Sequence, residues 1–180
     1  MKYIFNSRFG VKILTIMGLL FFLGCSKYKP LETVSNVEIE KYMGKWYEIA
    51  AIPQQFQKGC HCSIAEYTFI SDGGYVKVLN SCNKDSVNGP ISIIEGKAFV
   101  TLNSNNSKLR VQFFWPVKAK YWIIDLADDY SYAVVGHPNR KYLWILSRTT
   151  QMDEETYSQI LEKLKTKEYN TDLLVRTIHN

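Results

Sequence analysis

The stretch MGKWYEIAAIP, residues 43–53, decides how the rest of the chain is read. A polar approach ends in Gly44-Lys45-Trp46-Tyr47, and a strand-like run follows at once. Tryptophan is too large to spend on an element boundary unless that boundary is buried. With Trp46 facing inward, a period of two puts Glu48, Ala50 and Ile52 on the same inner face. A carboxylate among apolar neighbours costs free energy unless it is paired, so Glu48 is expected to meet a hydroxyl, an arginine or water.

Outward from that strand, further short runs carry the same period. They cover residues 46–52, 63–70, 75–81, 91–102, 109–115, 121–126, 132–136 and 142–147. Turn chemistry separates them: Asp72-Gly73-Gly74, Asn88-Gly89-Pro90, the Asn/Ser run at 103–107, Asp128-Asp129 and His137-Pro138-Asn139. Short links join neighbours antiparallel, and eight such strands leave two edges that closure removes. The expected fold is all-β, an eight-stranded antiparallel up-and-down β-barrel. After the last strand the period changes. Asp153 can cap a helix with Glu154 and Glu155 in its first turn, Ile160, Leu161 and Leu164 on one side, and Lys163, Lys165 and Lys167 at its end. That single α-helix has to pack outside the barrel, and a short apolar segment, Leu173-Leu174-Val175, follows it.

Parity also names the inner wall: Glu48, Ala50, Ala65, Tyr67, Val111, Phe113, Trp115, Tyr121, Tyr142 and Trp144. The lining is apolar with a few phenol oxygens, which suits an acyl chain. Lys118 and Lys120 fall near the expected open end, where they could meet a charged head group.

The N-terminus is an address. Lys2, Arg8 and Lys12 precede the apolar run 13–23, which is too short for the ~20 residues that span a bilayer. Residues 1–24 are read as a lipoprotein signal peptide. Phe22-Leu23-Gly24-Cys25 resembles the lipobox of bacterial lipoproteins, with Phe22 and Leu23 departing from its commonest residues. Cys25 is then the lipidated first residue and 25–37 a tether, so the chain is anchored to a membrane rather than spanning it. Ser26 is not the aspartate that retains such proteins in the inner membrane of enteric bacteria. The expected location is therefore the outer membrane, on its periplasmic face. Loss of three cations lowers the net charge from +5 to +2, and no basic block with interleaved aromatics argues for nucleic acid. About 155 residues remain, enough for one domain over 38–180.

Gly44-x-Trp46-Tyr47, Tyr130 after an acidic turn, and Arg148 at the end of the eighth strand match the three sequence signatures of the lipocalins. The tract 142–148 and Glu95-Gly96-Lys97-Ala98 resemble the bacterial outer-membrane lipocalins more closely. The resemblance implies that Arg148 lies across Trp46 and closes one barrel end, with Gly44 and Tyr130 in the same closing group. It also implies an open end for a small apolar ligand.

Once Cys25 is lipidated, three thiols remain. A hairpin turning at Asp72-Gly73 brings Cys62 nearest to Cys82, whereas the Cys60…Cys82 spacing resembles a pair in related bacterial lipocalins; the resemblance favours Cys60–Cys82. Cys60-His61-Cys62 has poor spacing for tetrahedral zinc, so no metal and no cofactor is expected. No HExxH, phosphate loop or GxSxG occurs. The expected function is non-catalytic: a lipid-anchored carrier holding a fatty acid or lysophospholipid. The alternatives are an isomerase or hydroperoxide-handling enzyme using Cys62 or a tyrosine, and a pigment or haem carrier using His61 or His137.

Overall fold

The two-residue period becomes eight strands: β1 (Gly44–Ala51), β2 (Cys60–Ile70), β3 (Tyr75–Lys84), β4 (Ile91–Val100), β5 (Lys108–Gln112), β6 (Ala119–Leu126), β7 (Tyr132–Gly136) and β8 (Leu143–Ser147). A one-turn helix, α1 (Ile39–Tyr42), precedes them; α2 (Glu154–Thr166) and a two-residue strand, β9 (Val175–Arg176), follow. This computed structural model describes residues 27–180, and the expected signal peptide and Cys25 lie outside the described residues.

Each strand pairs antiparallel with the next from β2 to β8, and β8 pairs with β1. The ring closes where Gly44 to Tyr47 of β1 pair with Tyr67 to Ile64 of β2. Beyond that seam β1 turns to β9 instead, through Ala50↔Arg176 and Ala51↔Val175. The Thr177 amide then donates to Ile49 O and the Cys62 amide to Ile178 O, each at 2.9 Å. The C-terminal segment thus joins β1 to β2 where the two no longer pair directly. The sequence shows only a short apolar segment there, because a two-residue ladder has too few positions to show a period.

Two apolar layers hold the fold. Trp46, Tyr67, Val76, Val78, Ala98, Val111, Ile123 and Val135 fill the barrel interior. Ile49, Ile124, Val134, Leu143 and Ile145 face outward, where Tyr157, Ile160 and Leu164 of α2 cover them. The helix starts as its sequence demands: Asp153 accepts from the Thr156 amide at 2.8 Å. Lys163 near its end pairs with Asp125 at 2.9 Å.

Bulges break the period in three strands. β1 shifts register between Glu48 and Ala50, β6 between Ile123 and Asp125, and β2 between His61 and Ile64, where Cys62 takes a φ of 52°. Each inserts one residue and swaps the faces that follow. β5 also ends three residues earlier than the sequence implies, because Pro116 has no N–H to give a ladder.

The structure pairs Cys60 with Cys82. A cross-link over 22 residues restricts the unfolded chain by about 3 kcal/mol. It also removes the thiolates a metal would need, and among the described residues no group of three His, Cys, Asp or Glu could hold a metal ion. Cys62 remains free, its sulfur 4.0 Å from the Val87 carbonyl.

The stretch read as a tether is tied down from Lys29 onward. Leu31 and Val37 are buried, and the Val34 amide donates to Ile123 O at 3.0 Å.

Candidate functional site: the barrel interior and its mouth

The end near Trp46 is shut by a stack of groups. The Trp46 ring is fully buried, and its indole N–H donates to Tyr42 O at 2.8 Å. The Arg148 guanidinium lies 3.7 Å from the ring centroid. Its nitrogens donate to Lys45 O at 2.8 Å, Lys41 O at 2.7 Å and Tyr130 O at 3.3 Å. Arg148 therefore joins α1, β1 and the turn before β7, and it neutralises the carbonyl end of α1 as well as facing a π surface. Gly44 has a φ of +88°, which a residue with a Cβ adopts only with strain. The Tyr130 hydroxyl accepts from the Glu38 amide at 2.8 Å and fixes the approach to α1.

Above this plug three phenols meet. Tyr121 bonds Tyr42 at 2.8 Å and Tyr67 at 2.9 Å through their hydroxyls. Desolvation pushes all three above the ordinary tyrosine value, Tyr67 to about 12. The fold thus favours the protonated phenols. Their contribution is full below the unfolded value near 10 and is lost as pH rises from there through the folded values. An absorbance titration should show these rings ionising only together with loss of the folded tryptophan emission. Free ionisation near pH 10 in a folded barrel would contradict it.

The enclosed space beside the phenols is lined by Tyr42, Tyr67, Val76, Ala98, Val111 and Ile123 among others, and its volume is about 10 Å³. That is room for about one water.

Toward the mouth the interior becomes more polar. Trp46, Ala65, Asn80 and Ile94 lie in register across four neighbouring strands. The Asn80 side-chain oxygen is buried there with no hydrogen-bond partner among the described residues. Glu48 accepts from the Gln57 amide at 2.8 Å and from the Thr177 hydroxyl at 2.6 Å. The Trp144 indole donates to Gln57 Oε1 at 3.0 Å, and the His179 ring meets Glu48 O at 2.7 Å. This chain braces β1, β8, the 52–59 loop and the C-terminal segment.

The wall named from the sequence falls as follows. Tyr67, Val111 and, partly buried, Ala65, Phe113, Tyr121 and Trp144 belong to the interior cluster. Glu48 lies opposite the inward Leu146, and Tyr142 stacks on Trp144 at 6.3 Å just before β8. Two placements differ. Ala50 packs with the helix-facing cluster, because the β1 bulge at Ile49 reverses the faces beyond Glu48. Trp115 lies beyond the end of β5 in the 113–118 loop and is solvent-exposed. The lysines near the mouth also turn outward: Lys118 stands over Phe99 at 4.0 Å and Lys120 over Trp122 at 5.6 Å. Parity missed Val76, Val78 and Asn80, although the alternation of Tyr75-Val-Lys-Val-Leu-Asn80 carries the signal. Tyr42, Gln57 and Thr177 sit on a one-turn helix, a loop and a two-residue strand's end, where no period marks them.

A closed antiparallel barrel plugged by Arg148 over Trp46, with an apolar interior, defines a protein built to enclose a small hydrophobic molecule. Residues 37–179 match the lipocalin-like domain, and the chain belongs to the lipocalin family. It is 40% identical over 158 residues to temperature-induced lipocalin-1 of Arabidopsis thaliana, covering 83% of each chain. It is 35% identical over 148 residues to the outer membrane lipoprotein Blc of Vibrio cholerae, covering 82% of this chain and 85% of that one. Apolipoprotein D of Rattus norvegicus is 37% identical over 155 residues, covering 81% and 78% respectively. Among solved structures, insecticyanin from the tobacco hornworm Manduca sexta superposes with a TM-score of 0.68, covering 85% and 86% of the two chains at 22% identity, a likeness of fold.

Proposed function

We propose that this lipocalin holds a fatty acid or lysophospholipid in its barrel and stores or moves it in a bacterial envelope, without covalent chemistry. The observation that carries the reading is the Asn80 side-chain oxygen, buried in the barrel with no hydrogen-bond partner among the described residues. An unmet acceptor of that kind costs about 1–3 kcal/mol, which a ligand hydroxyl or a water can return. The surrounding rings and aliphatic groups accept a chain at ~0.8 kcal/mol for each CH₂ removed from water. With room for about one water beside the phenols, a chain that reaches that depth has to displace side chains there. The groups at the mouth that would have to move are Phe113, Trp144 and Gln57, whose side-chain amide links Trp144 to Glu48.

Catalysis finds less support. The Glu48 carboxylate is engaged by an amide and a hydroxyl, and the neighbouring His179 ring bonds the Glu48 backbone oxygen rather than the carboxylate. The Cys62 sulfur rests against a loop carbonyl. Location follows from the lipobox reading of residues 22–25 and from the similarity to outer membrane lipoproteins: signal peptide 1–24, lipidated Cys25, barrel domain from 38, outer membrane, periplasmic face. Among the described residues no helix is long and apolar enough to cross a membrane.

The test replaces Asn80 by leucine, which fills the space and removes the orphaned acceptor. Asn80→Leu is expected to be at least as stable as the parent and to bind a lysophospholipid, whose glycerol hydroxyl can donate to the Asn80 oxygen, about tenfold more weakly, with a plain hydrocarbon probe bound as before. Equal loss for both probes, or none for either, would place the ligand elsewhere.

A further inference from the structure

The mouth carries a group of exposed apolar side chains that the interior does not explain. Phe56 in the 52–59 loop is 67% exposed, and Phe114, Trp115 and Val117 in the 113–118 loop are 72%, 87% and 69% exposed. Rings left in water at this density are unusual for a surface that meets only solvent.

Charge separates along the barrel axis. The mouth loops and the first described residues carry Lys27, Lys29, Lys58, Lys118, Arg140 and Lys141 against Asp85 and Glu168, which bonds the Lys29 amide. The plugged end carries Asp72, Asp128 and Asp129 in its turns and Glu38 and Glu40 around α1, against Lys41, Lys45 and Arg148, so its balance is acidic where that of the mouth is basic. Aromatic rings interleaved with lysines are the chemistry of an interfacial membrane contact, and the cations favour an anionic surface.

The N-terminal stretch leaves the fold at the same end. Arg140, in the 137–142 loop of the mouth, donates to Lys29 O at 2.8 Å, and the Lys29 amide donates to Glu168 at 2.8 Å. Cys25 precedes that fixed point by four residues, at most about 14 Å of extended chain.

We propose that the mouth rim docks on an anionic lipid bilayer, with Phe56, Phe114, Trp115 and Val117 entering the head-group region. The barrel then opens toward the membrane and its plugged end faces away. A ligand passes between bilayer and barrel without crossing open water, so the docking deepens the carrier reading and rests on it for its purpose. The rim's binding to lipid does not depend on the anchor.

Every described strand and helix lies within 27–180, so a chain beginning at Ser26 keeps the whole barrel. This chain is mixed with vesicles of phosphatidylethanolamine and phosphatidylglycerol, and with phosphatidylcholine vesicles, some containing brominated acyl chains. The expected result is co-sedimentation with the anionic vesicles, weakened by salt, and bromine quenching of tryptophan emission that Trp115→Phe abolishes. The double variant Phe114→Ser/Val117→Ser should lower partitioning about tenfold and leave oleate binding in vesicle-free solution unchanged. A wild-type chain that stays in solution, or a double variant that binds vesicles equally well, would overturn the docking. So would a dimer in solution that the double variant dissolves, since the rim would then be a contact between copies. Oleate binding without vesicles tests the carrier reading separately, so either can fail alone.

Discussion

Replacing Arg140 by alanine is expected to destabilise the protein by on the order of 4 kcal/mol, about 10 °C in Tm for a domain of this size. Only 6% of the residue is exposed, and its planar fork serves three segments at once. Nε donates to Lys167 O at 2.9 Å, Nη1 to Pro138 O at 2.6 Å and Nη2 to Lys29 O at 2.8 Å. The rings of Tyr28 and Tyr169 flank the guanidinium, and Glu168 stands 3.8 Å away. Alanine leaves those carbonyls without this donor and the Glu168 carboxylate without this cation. The N-terminal stretch and the end of α2 lose their common anchor. Limited proteolysis should then cut within residues 27–31, ahead of the barrel. Arg140→Lys keeps the charge but cannot bond three carbonyls in one plane, so it should recover less than half of the loss. Urea unfolding of the three proteins checks the ranking, and an alanine variant as stable as the parent would show that the fork contributes nothing.

Arg148→Ala is the second large effect, a loss on the order of 3 kcal/mol. The substitution removes the cation over Trp46 and strips a donor from Lys41 O, Lys45 O and Tyr130 O. All of these groups lie at the plugged end. A ligand entering at the mouth meets Trp144, Phe113 and Asn80 instead, so the folded fraction of Arg148→Ala should bind oleate with its affinity nearly unchanged. Urea midpoints and a titration below the unfolding transition separate the two effects. Parent-like stability with binding lost would reverse the assignment and make Arg148 part of the ligand site.

The architecture was legible because each strand keeps a stretch of period-two alternation, even the three that carry bulges, and because Trp46 and Arg148 are recognisable more than a hundred residues apart. What stayed hidden depends on single inserted residues and on context. Nothing in Glu48-Ile49-Ala50-Ala51 marks a bulge at Ile49, yet the bulge turns Ala50 to the helix and leaves Ala51 opposite the inward Trp144. In β6 the bulge after Ile123 leaves Ile124 and Asp125 both on the helix side and returns Leu126 to the interior. Arg140 sits in His137-Pro-Asn-Arg-Lys141, which reads as a solvated turn. Its burial depends on the N-terminal stretch and the end of α2 arriving from elsewhere. Trp115 follows the alternation of Val111 and Phe113 and would face inward if the strand continued, but the ladder stops before Pro116. Alternation reports a face only while the ladder runs unbroken.

The central claim is that the barrel takes up an acyl lipid and returns it unchanged. Native mass spectrometry of the chain beginning at Ser26, purified without detergent and then given oleate or a lysophospholipid, tests it most directly. The account predicts one acyl ligand per barrel at the mass of the intact lipid, with the Asn80→Leu variant retaining less lysophospholipid. A barrel that stays empty with both lipids, or releases them chemically altered, would contradict it.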